Sequence, residues 1–255
     1  MLDVTENLVQ DSLESIGITG GDGLLVHSAV QFLGKPEGGV GVYLDGIQAV
    51  IGPGGTVVVP TFNFDFPINR EFDPGETPSK GMGSFSEYIR KLPGSKRSLH
   101  PMQSVACYGY YAVDLASRDT ASAFDPGSVY DRMLELDFKL LLLGADVQSV
   151  SILHYSEQRA RVPYRYWKEF TGQVLTPQGW EIRTHLMFVR NLDIDPKISL
   201  KPVQENLIRQ GLWQSIQLNY GHLASCRLRD FVSVVDNFLT RDPWSLVTNR
   251  PENIS

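Results

Sequence analysis

Four consecutive leucines, Leu140 to Leu143, stopped by Gly144, constrain the fold of this chain more than any other stretch. A short apolar run without polar alternation fits a strand buried on both faces, the situation of a parallel strand covered by helices on either side. The polar residues Asp146 to Ser149 supply a turn, and the segment opened by Ser151 has helical spacing. On that helix His154 and Glu157 stand three positions apart and share a face. Open α/β sheets place chemistry just past the carboxyl end of a buried strand, and an imidazole beside a carboxylate suits that place. A surface helix carrying a polar pair is the competing account.

The same rhythm runs through the first two thirds of the chain. The spacing predicts a helix from Thr5 to Ile16 and a strand from Leu24 to Val26 ending at His27-Ser28. A loop bearing Gly34, Gly38, Gly39 and Gly41 follows, then a helix from Tyr43 to Ile51. Backbone amides in such a strand–loop–helix unit can receive an anion, although the glycine spacing matches neither a dinucleotide fingerprint nor a phosphate loop. Thr56 to Val59 reads as a second buried strand, closed by Pro60 and leaving Thr61 at its carboxyl end. Residues 63–84 read as a long loop, with Ser84 and Glu87 as the capping box of the next helix. A strand from Ser104 to Tyr108 precedes the leucine run. Beyond Pro163 the pattern changes to antiparallel strands about Pro177 to Gly179, with helices from Val203 to Gln210 and Leu228 to Leu239. The expected fold is α/β in a single domain, residues 1–255. A mixed, largely parallel central sheet is flanked by helices as an αβα sandwich, and the C-terminal portion contains antiparallel β-structure.

Composition narrows the function. A chain of 255 residues with 42% hydrophobic and 20% charged residues is an ordinary globular protein. Its net charge of −6 argues against nucleic acid or an anionic membrane as the main partner. Cys107 and Cys226 fit no metal or redox spacing and are expected as buried thiols. No signal peptide or membrane-length apolar run is present, so a cytoplasmic protein without membrane insertion is expected. The oligomeric state is left open, a homo-oligomer included.

Three chemistries compete for the crevice that His27-Ser28, Thr61, Ser104 and the His154 loop would line. A metal site lacks paired-histidine spacing, so no metal is expected. A serine hydrolase lacks the nucleophile elbow. General-base catalysis on an amine needs only a neutral imidazole, an orienting carboxylate and donors for a developing oxyanion.

The segments HSAVQFLG, GPGGTVVVPTF, FDPGETPS, RSLHPMQSVACYG, GSVYDRMLELDFKLLLLG and LHYSEQRARVPYR resemble, in order and spacing, the aminoglycoside 3-N-acetyltransferase family. The resemblance runs from about residue 23 to 163 and weakly beyond. It implies an acetyl-CoA-dependent N-acetyltransferase of non-GNAT fold, with an acetyl-CoA-binding and catalytic core at about 1–165 and an acceptor-side subregion at about 166–255. It also implies His154 as base, Glu157 as its orienting carboxylate, and Thr61 as a hydroxyl beside the thioester. His27, Ser28, Ala29 and Val30, with Ser104 and Val105, would cradle the pantetheine arm, and Lys35, Gly38 and Gly39 would lie near the CoA phosphates. Asp65, Tyr155 and Arg159 are the candidates for binding the small-molecule amine. The stretch from Leu200 to Phe231 offers only Glu205 before Asp230, amid Arg209, Arg227 and Arg229. That charge favours an amino sugar on a nucleotide or glycan, with an aminoglycoside antibiotic as the alternative acceptor. A non-catalytic CoA- or sugar-binding relative and a metal-dependent hydrolase are the alternatives of another class.

Overall fold

Alternate residues of the central strands enter two different apolar layers, which explains why those strands read as continuous hydrophobic runs. The computed structural model describes residues 3–251. Its main strands are β1 (Gly23–Ser28), β2 (Thr56–Pro60), β3 (Val105–Gly109), β4 (Lys139–Leu143), β5 (Arg165–Thr176), β6 (Gly179–Arg190), β7 (Gln214–Leu218) and β8 (Gly221–Arg227). Leu24, Val26, Leu141 and Leu143 belong to one core layer; Leu25, Leu140 and Leu142 belong to the other. The first layer is completed by helices α1 (Glu6–Ser15), α2 (Gly41–Ile51) and α3 (Gly83–Lys91). The second is completed by α4 (Val129–Glu135), α5 (Leu153–Ala160), α6 (Lys201–Arg209) and α7 (Leu228–Arg241).

The seven-stranded sheet runs β7-β8-β4-β1-β2-β3 and ends in the two-residue strand Lys96–Arg97. The expected mixed sheet between helical layers is present, but its parallel part is confined to the centre. β1 pairs parallel with β2 and β4, whereas β3, β8, β7 and Lys96–Arg97 all pair antiparallel. Ser104 therefore sits at the amino end of its strand, not the carboxyl end. The antiparallel direction brings it to the same sheet edge as Thr61, whose amide donates to the Ser104 carbonyl at 2.9 Å.

Two local expectations differ. Ser84 does not cap α3: the cap position is Met82, with no side-chain bond, and Glu87 instead accepts from the amide and hydroxyl of Ser79. The region after residue 165 does not pack as one unit. Only the β5–β6 hairpin stands off the main sheet, pairing with the short strand Glu71–Phe72. β8, α6 and α7 return to the core, with β8 pairing directly against the leucine strand. The β7–β8 hairpin is not legible in the sequence because β7 is short and largely exposed, and the buried β8 finds its second partner, β4, far away along the chain.

Gly144 ends the leucine strand for a steric reason. Its φ is +75°, and a Cβ there would lie 2.6 Å from the Ala29 carbonyl oxygen. That close approach lets the Ala29 amide donate to the Leu143 carbonyl at 2.9 Å, which locks the turn after β1 against the end of β4. Cys107 and Cys226 are both free and buried, as expected. Among the described residues no helix is long and apolar enough to cross a membrane.

Candidate active site

α5 begins above the carboxyl end of β1, and His27 holds it there. The Ser151 amide donates to His27 Nε2 at 3.3 Å, and burial lowers the pKa of that ring to about 3. His27 is thus a neutral internal strut. From this anchored start α5 presents His154 and Glu157 together. Their side chains meet at 2.6 Å, His154 Nδ1 to Glu157 Oε2; the imidazole is about one third exposed at 32%, the carboxylate fully buried at 0%. A carboxylate this close to Nδ1 requires the proton on Nδ1, so that Nδ1–H donates to Glu157 and Nε2 keeps its lone pair. Burial pushes the Glu157 pKa up, but the His154 bond and the nearby Arg165 charge outweigh it and hold the carboxyl below its usual range.

Two cavities meet beside this pair. The larger, about 730 Å³, is lined by His154 together with Phe62, Phe64, Gln103 and Gln148. The smaller, about 620 Å³, lies against Phe124, Arg159, Arg161 and Trp167. Arg165 and Tyr166 line both. Phe124 also touches the imidazole edge-on, with ring centroids 5.8 Å apart. The wall of the larger cavity carries Lys168, Arg190 and Lys197, and none of its lining residues is an aspartate or glutamate.

Thr61 is not at this wall. It is 0% exposed, and its hydroxyl lies 3.2 Å from Ser104 Oγ and 3.1 Å from the Arg97 Nε–H that donates to it. Arg97 also donates to the carbonyls of Thr61, Pro74 and Thr77 and stacks its guanidinium over Phe72 at 4.8 Å. Burial lowers the Arg97 pKa to about 9, so it remains protonated at neutral pH. Thr61 and Ser104 both accept from a buried arginine that braces the 61–80 loop. Thr61→Val is accordingly expected to cost about 1–2 kcal/mol of stability while kcat changes less than tenfold; a hundredfold loss of kcat with unaltered denaturant stability would return the hydroxyl to an oxyanion role.

The remaining motif residues divide similarly. His100 accepts from the Gln103 amide at 3.2 Å and, through its other ring nitrogen, donates to the Leu186 carbonyl at 3.2 Å, so it ties the loop to the β5–β6 hairpin. Val105 donates its amide to Ser98 Oγ at 3.0 Å. Gly38 and Gly39 have φ of +69° and +99° with open space around them, and Lys35 is exposed nearby in sequence. Ser28 faces the start of α3, where a Cβ on Gly83 would lie 3.5 Å from the Ser28 carbonyl oxygen. This backbone-rich edge can admit a phosphate-bearing arm, and it lines neither cavity beside His154.

The three expected acceptor contacts are not brought together. Asp65 is paired with Lys80. Tyr155 follows His154 on the helix and so points about 100° away; its hydroxyl donates to Asp131 at 2.7 Å, and burial with that carboxylate raises its pKa to about 12. Arg159 lines the smaller cavity but pairs with Asp236 and covers the Tyr155 ring. Gln103 and Gln148 are polar cavity residues that sequence reasoning leaves unassigned, and Arg165 is one that it reads only as a substrate or CoA contact or part of a solvated basic face. Their positions become legible only when the loop after Pro101, the turn after β4 and the first residue of β5 converge. No group of three or more His, Cys, Asp or Glu residues that could hold a metal ion occurs among the described residues.

The aminoglycoside 3-N-acetyltransferase family model matches residues 25–240. The chain belongs to that family. An aminoglycoside N(3)-acetyltransferase III of Salmonella sp. is 31% identical over 181 residues, which are 64% of this chain and 63% of that protein. The alignment thus spans a little under two thirds of that relative's length. The solved structure of AAC-IIIb binary with CoASH shares the fold at a TM-score of 0.84 and 20% identity, covering 98% of this chain and 100% of that one. Aminoglycoside acetyltransferase AAC(3)-IVa, solved as a histidine-to-alanine mutant in complex with a gentamicin, is 25% identical with a TM-score of 0.79, covering 96% of this chain and 92% of that one.

The arginines behind the amino-sugar expectation lie away from the cavities. Arg227 and Arg229, which favoured a nucleotide- or glycan-linked amino sugar, gather at Asp137. Arg227 pairs in register with Lys139, at the sheet edge opposite His154. Arg209, at the end of α6, lines neither cavity. The relatives are instead named for aminoglycosides, the alternative acceptor.

Proposed function

We propose that this protein transfers the acetyl group of acetyl-CoA to an amine of an aminoglycoside-type acceptor, with His154 as general base. The observation that carries the reading is the 2.6 Å His154–Glu157 contact at the mouth of a cavity large enough for a sugar-sized ligand. Acetyl-CoA supplies the acyl group as a thioester. The chain's own residues do the rest. His154 Nε2 accepts the proton of the attacking amine, and Glu157 stabilises the imidazolium that results. Burial of Glu157 makes that stabilisation strong, because little water screens it. The glycine-bearing edge at Gly38 and Gly39, with Lys35, would receive the CoA phosphates, and the turn Ser28 to Val30 the arm that leads to the thioester. Gln103, with a carboxamide oxygen that has no hydrogen-bond partner in this structure, is the candidate polar contact inside the cavity. Its orphaned oxygen is a cost that a bound donor would relieve.

One observation favours a second reading of the acceptor. Lys168, Arg190 and Lys197 on the cavity wall are offset only by Asp195, which pairs with the last two. A polycation would meet like charge there, whereas a singly aminated sugar bearing an acidic group would meet complementary charge. Free-thiol release from acetyl-CoA, measured with gentamicin-type acceptors and with amino sugars carrying phosphate or carboxylate, separates the two. Acetylation of gentamicin-type amines is the expected result. Turnover confined to the anionic amino sugars would replace the acceptor, and no thiol release with any amine would overturn transfer itself.

A further inference from the structure

We propose that Arg165 is a positioning residue and the third member of the His154–Glu157 pair: its guanidinium neutralises the buried carboxylate and places a fixed positive charge beside the imidazole. This deepens the reading of His154 as the base and rests on it.

Arg165 is the first residue of β5, and its guanidinium reaches across to α5. Its Nε lies 2.9 Å from Glu157 Oε2, the same oxygen that receives the imidazole proton. Its Nη1 donates to the Phe188 carbonyl at 3.1 Å, which fixes the group from the neighbouring strand β6. Its Nη2 stands 3.2 Å from His154 Nδ1. That last contact is the informative one. Nδ1 already carries the proton that faces Glu157, so it has no lone pair to offer Arg165. Two donors therefore face each other, held in place by Glu157 and Phe188 rather than by mutual attraction. A positive charge fixed at that distance disfavours a second positive charge on the ring.

The charge count leads to the same conclusion. Glu157 is fully buried, and without a cation beside it the imidazolium would be its only counter-charge. The pair would then store the proton that the base must be free to take. With Arg165 present, the resting cluster of carboxylate, guanidinium and neutral imidazole is electrically balanced, and protonating His154 creates a net charge.

Other groups around the site do not substitute for Arg165. Tyr164, next in line to Glu157, is a neutral phenol whose pKa is raised by burial and by that carboxylate. On α5 itself, Arg159 is paired with Asp236 of α7, and Gln158 donates to Asp125 at 2.9 Å. Asp131 of α4 accepts from Tyr155 on the far side of α5. His27, below the helix start, is neutral. Lys168, Arg190 and Lys197 face the cavity from β5, β6 and the segment after it, and their charge acts in the same direction as that of Arg165.

The test compares Arg165→Met with wild type in the full chain, by two readouts. The first is a direct NMR titration of the His154 ring in ligand-free protein, its signals assigned by their loss in His154→Ala. The second is the pH profile of kcat/KM for acetyl transfer. In Arg165→Met the ring titration and the acid limb of the profile are expected to move together toward higher pH. Activity at pH 7 should fall at least tenfold and recover to within a few-fold of wild type near pH 9. Arg165→Lys should lie between the two. A merely structural role would lower activity equally at every pH and leave the His154 titration in place, and either result overturns the proposal. Arg165→Gln, which keeps a donor toward Phe188 without the charge, is read the same way if the methionine variant does not fold. The NMR arm needs no acceptor, so an absence of transfer in wild type would defeat the proposed function without deciding the role of Arg165.

Discussion

Replacing His154 by alanine is expected to lower kcat for acetyl transfer by about 10²- to 10⁴-fold while leaving affinity for CoA within a few-fold of wild type. The effect is large because the imidazole is the group at the cavity mouth with a free basic nitrogen. Its Nδ1 is committed to Glu157 at 2.6 Å, which points Nε2 outward and fixes the tautomer. Nothing in the packing opposes the substitution. The ring is partly exposed, and its neighbours Ser151 and Tyr155 hold α5 through His27 and Asp131. The variant should therefore fold, at a cost of about 1–3 kcal/mol for the hydrogen bond lost to the buried Glu157, which keeps its contact with Arg165. Steady-state thiol release gives kcat, and equilibrium dialysis with CoA alone gives the binding arm. A variant that keeps more than a tenth of wild-type turnover removes His154 from the base role; one that loses CoA binding in parallel makes it a cofactor contact instead.

The second large effect is on stability. His27, His100 and His185 are all buried, and burial lowers their pKa values to about 3, about 3 and about 4 from an ordinary 6.5. His185 is the most exposed to this effect: neither ring nitrogen has a hydrogen-bond partner, and the ring is packed between Phe66 and His100. A group whose folded pKa lies below its unfolded value binds more protons when unfolded. Its contribution is therefore complete above pH 6.5 and is lost as pH falls toward the folded value. Each histidine forfeits about 1.4 kcal/mol per pH unit once well below 6.5, so at pH 5.5 the three together cost about 4 kcal/mol. The carboxylates held below their usual range, Glu87 and Glu157 among them, add their own loss only below about pH 4.5. The interval from pH 6.5 to 4.5 belongs to the histidines. Urea unfolding at half-unit steps from pH 8 to 5 should show a plateau above pH 7 and a slope approaching three protons below pH 6. His185→Leu should reduce that slope by about one proton. A flat profile down to pH 5 would mean that these rings find water or a partner in solution.

Both predictions turn on histidines that look alike in the chain, and packing is what separates them. His27 and His100 stand beside strand ends, as His154 does, and each has hydroxyl-bearing neighbours. Periodicity locates all three at one edge of an α/β sheet. It does not distinguish a ring walled in by apolar neighbours from one opening on a cavity, because that depends on which helices cover the strand end.

The motif around RSLHPMQS behaves in the same way. Its spacing is a family signature, and the residues Arg97, Ser98, His100 and Ser104 prove to be a brace: they hold one another, Thr61, the 61–80 loop and the β5–β6 hairpin. A signature marks residues that are needed in place, and being needed for packing leaves the same trace as being needed for chemistry. Thr61 shows the consequence. The resemblance casts it as the hydroxyl beside the thioester, and the fold also places that hydroxyl against the buried Arg97 guanidinium.

Local pattern suffices for the alternation of strands and helices through residue 161, the burial of β1, β2 and β4, and the meeting of His154 with Glu157. All of these are short-range: unbroken apolar runs, helical spacing, and an i, i+3 pair on one helix face. What that pair faces is settled by tertiary packing alone. Arg165 lies eleven residues from His154 on a strand of another sheet, Phe188 farther still, and the cations of the cavity wall sit on both arms of a hairpin and the segment beyond it. Long-range side-chain meetings of this kind depend on how layers stack and where a hairpin folds back, for which local periodicity carries no signal. The leucine strand that anchors the fold can be read directly from four adjacent residues; the charge that meets the His154–Glu157 pair cannot.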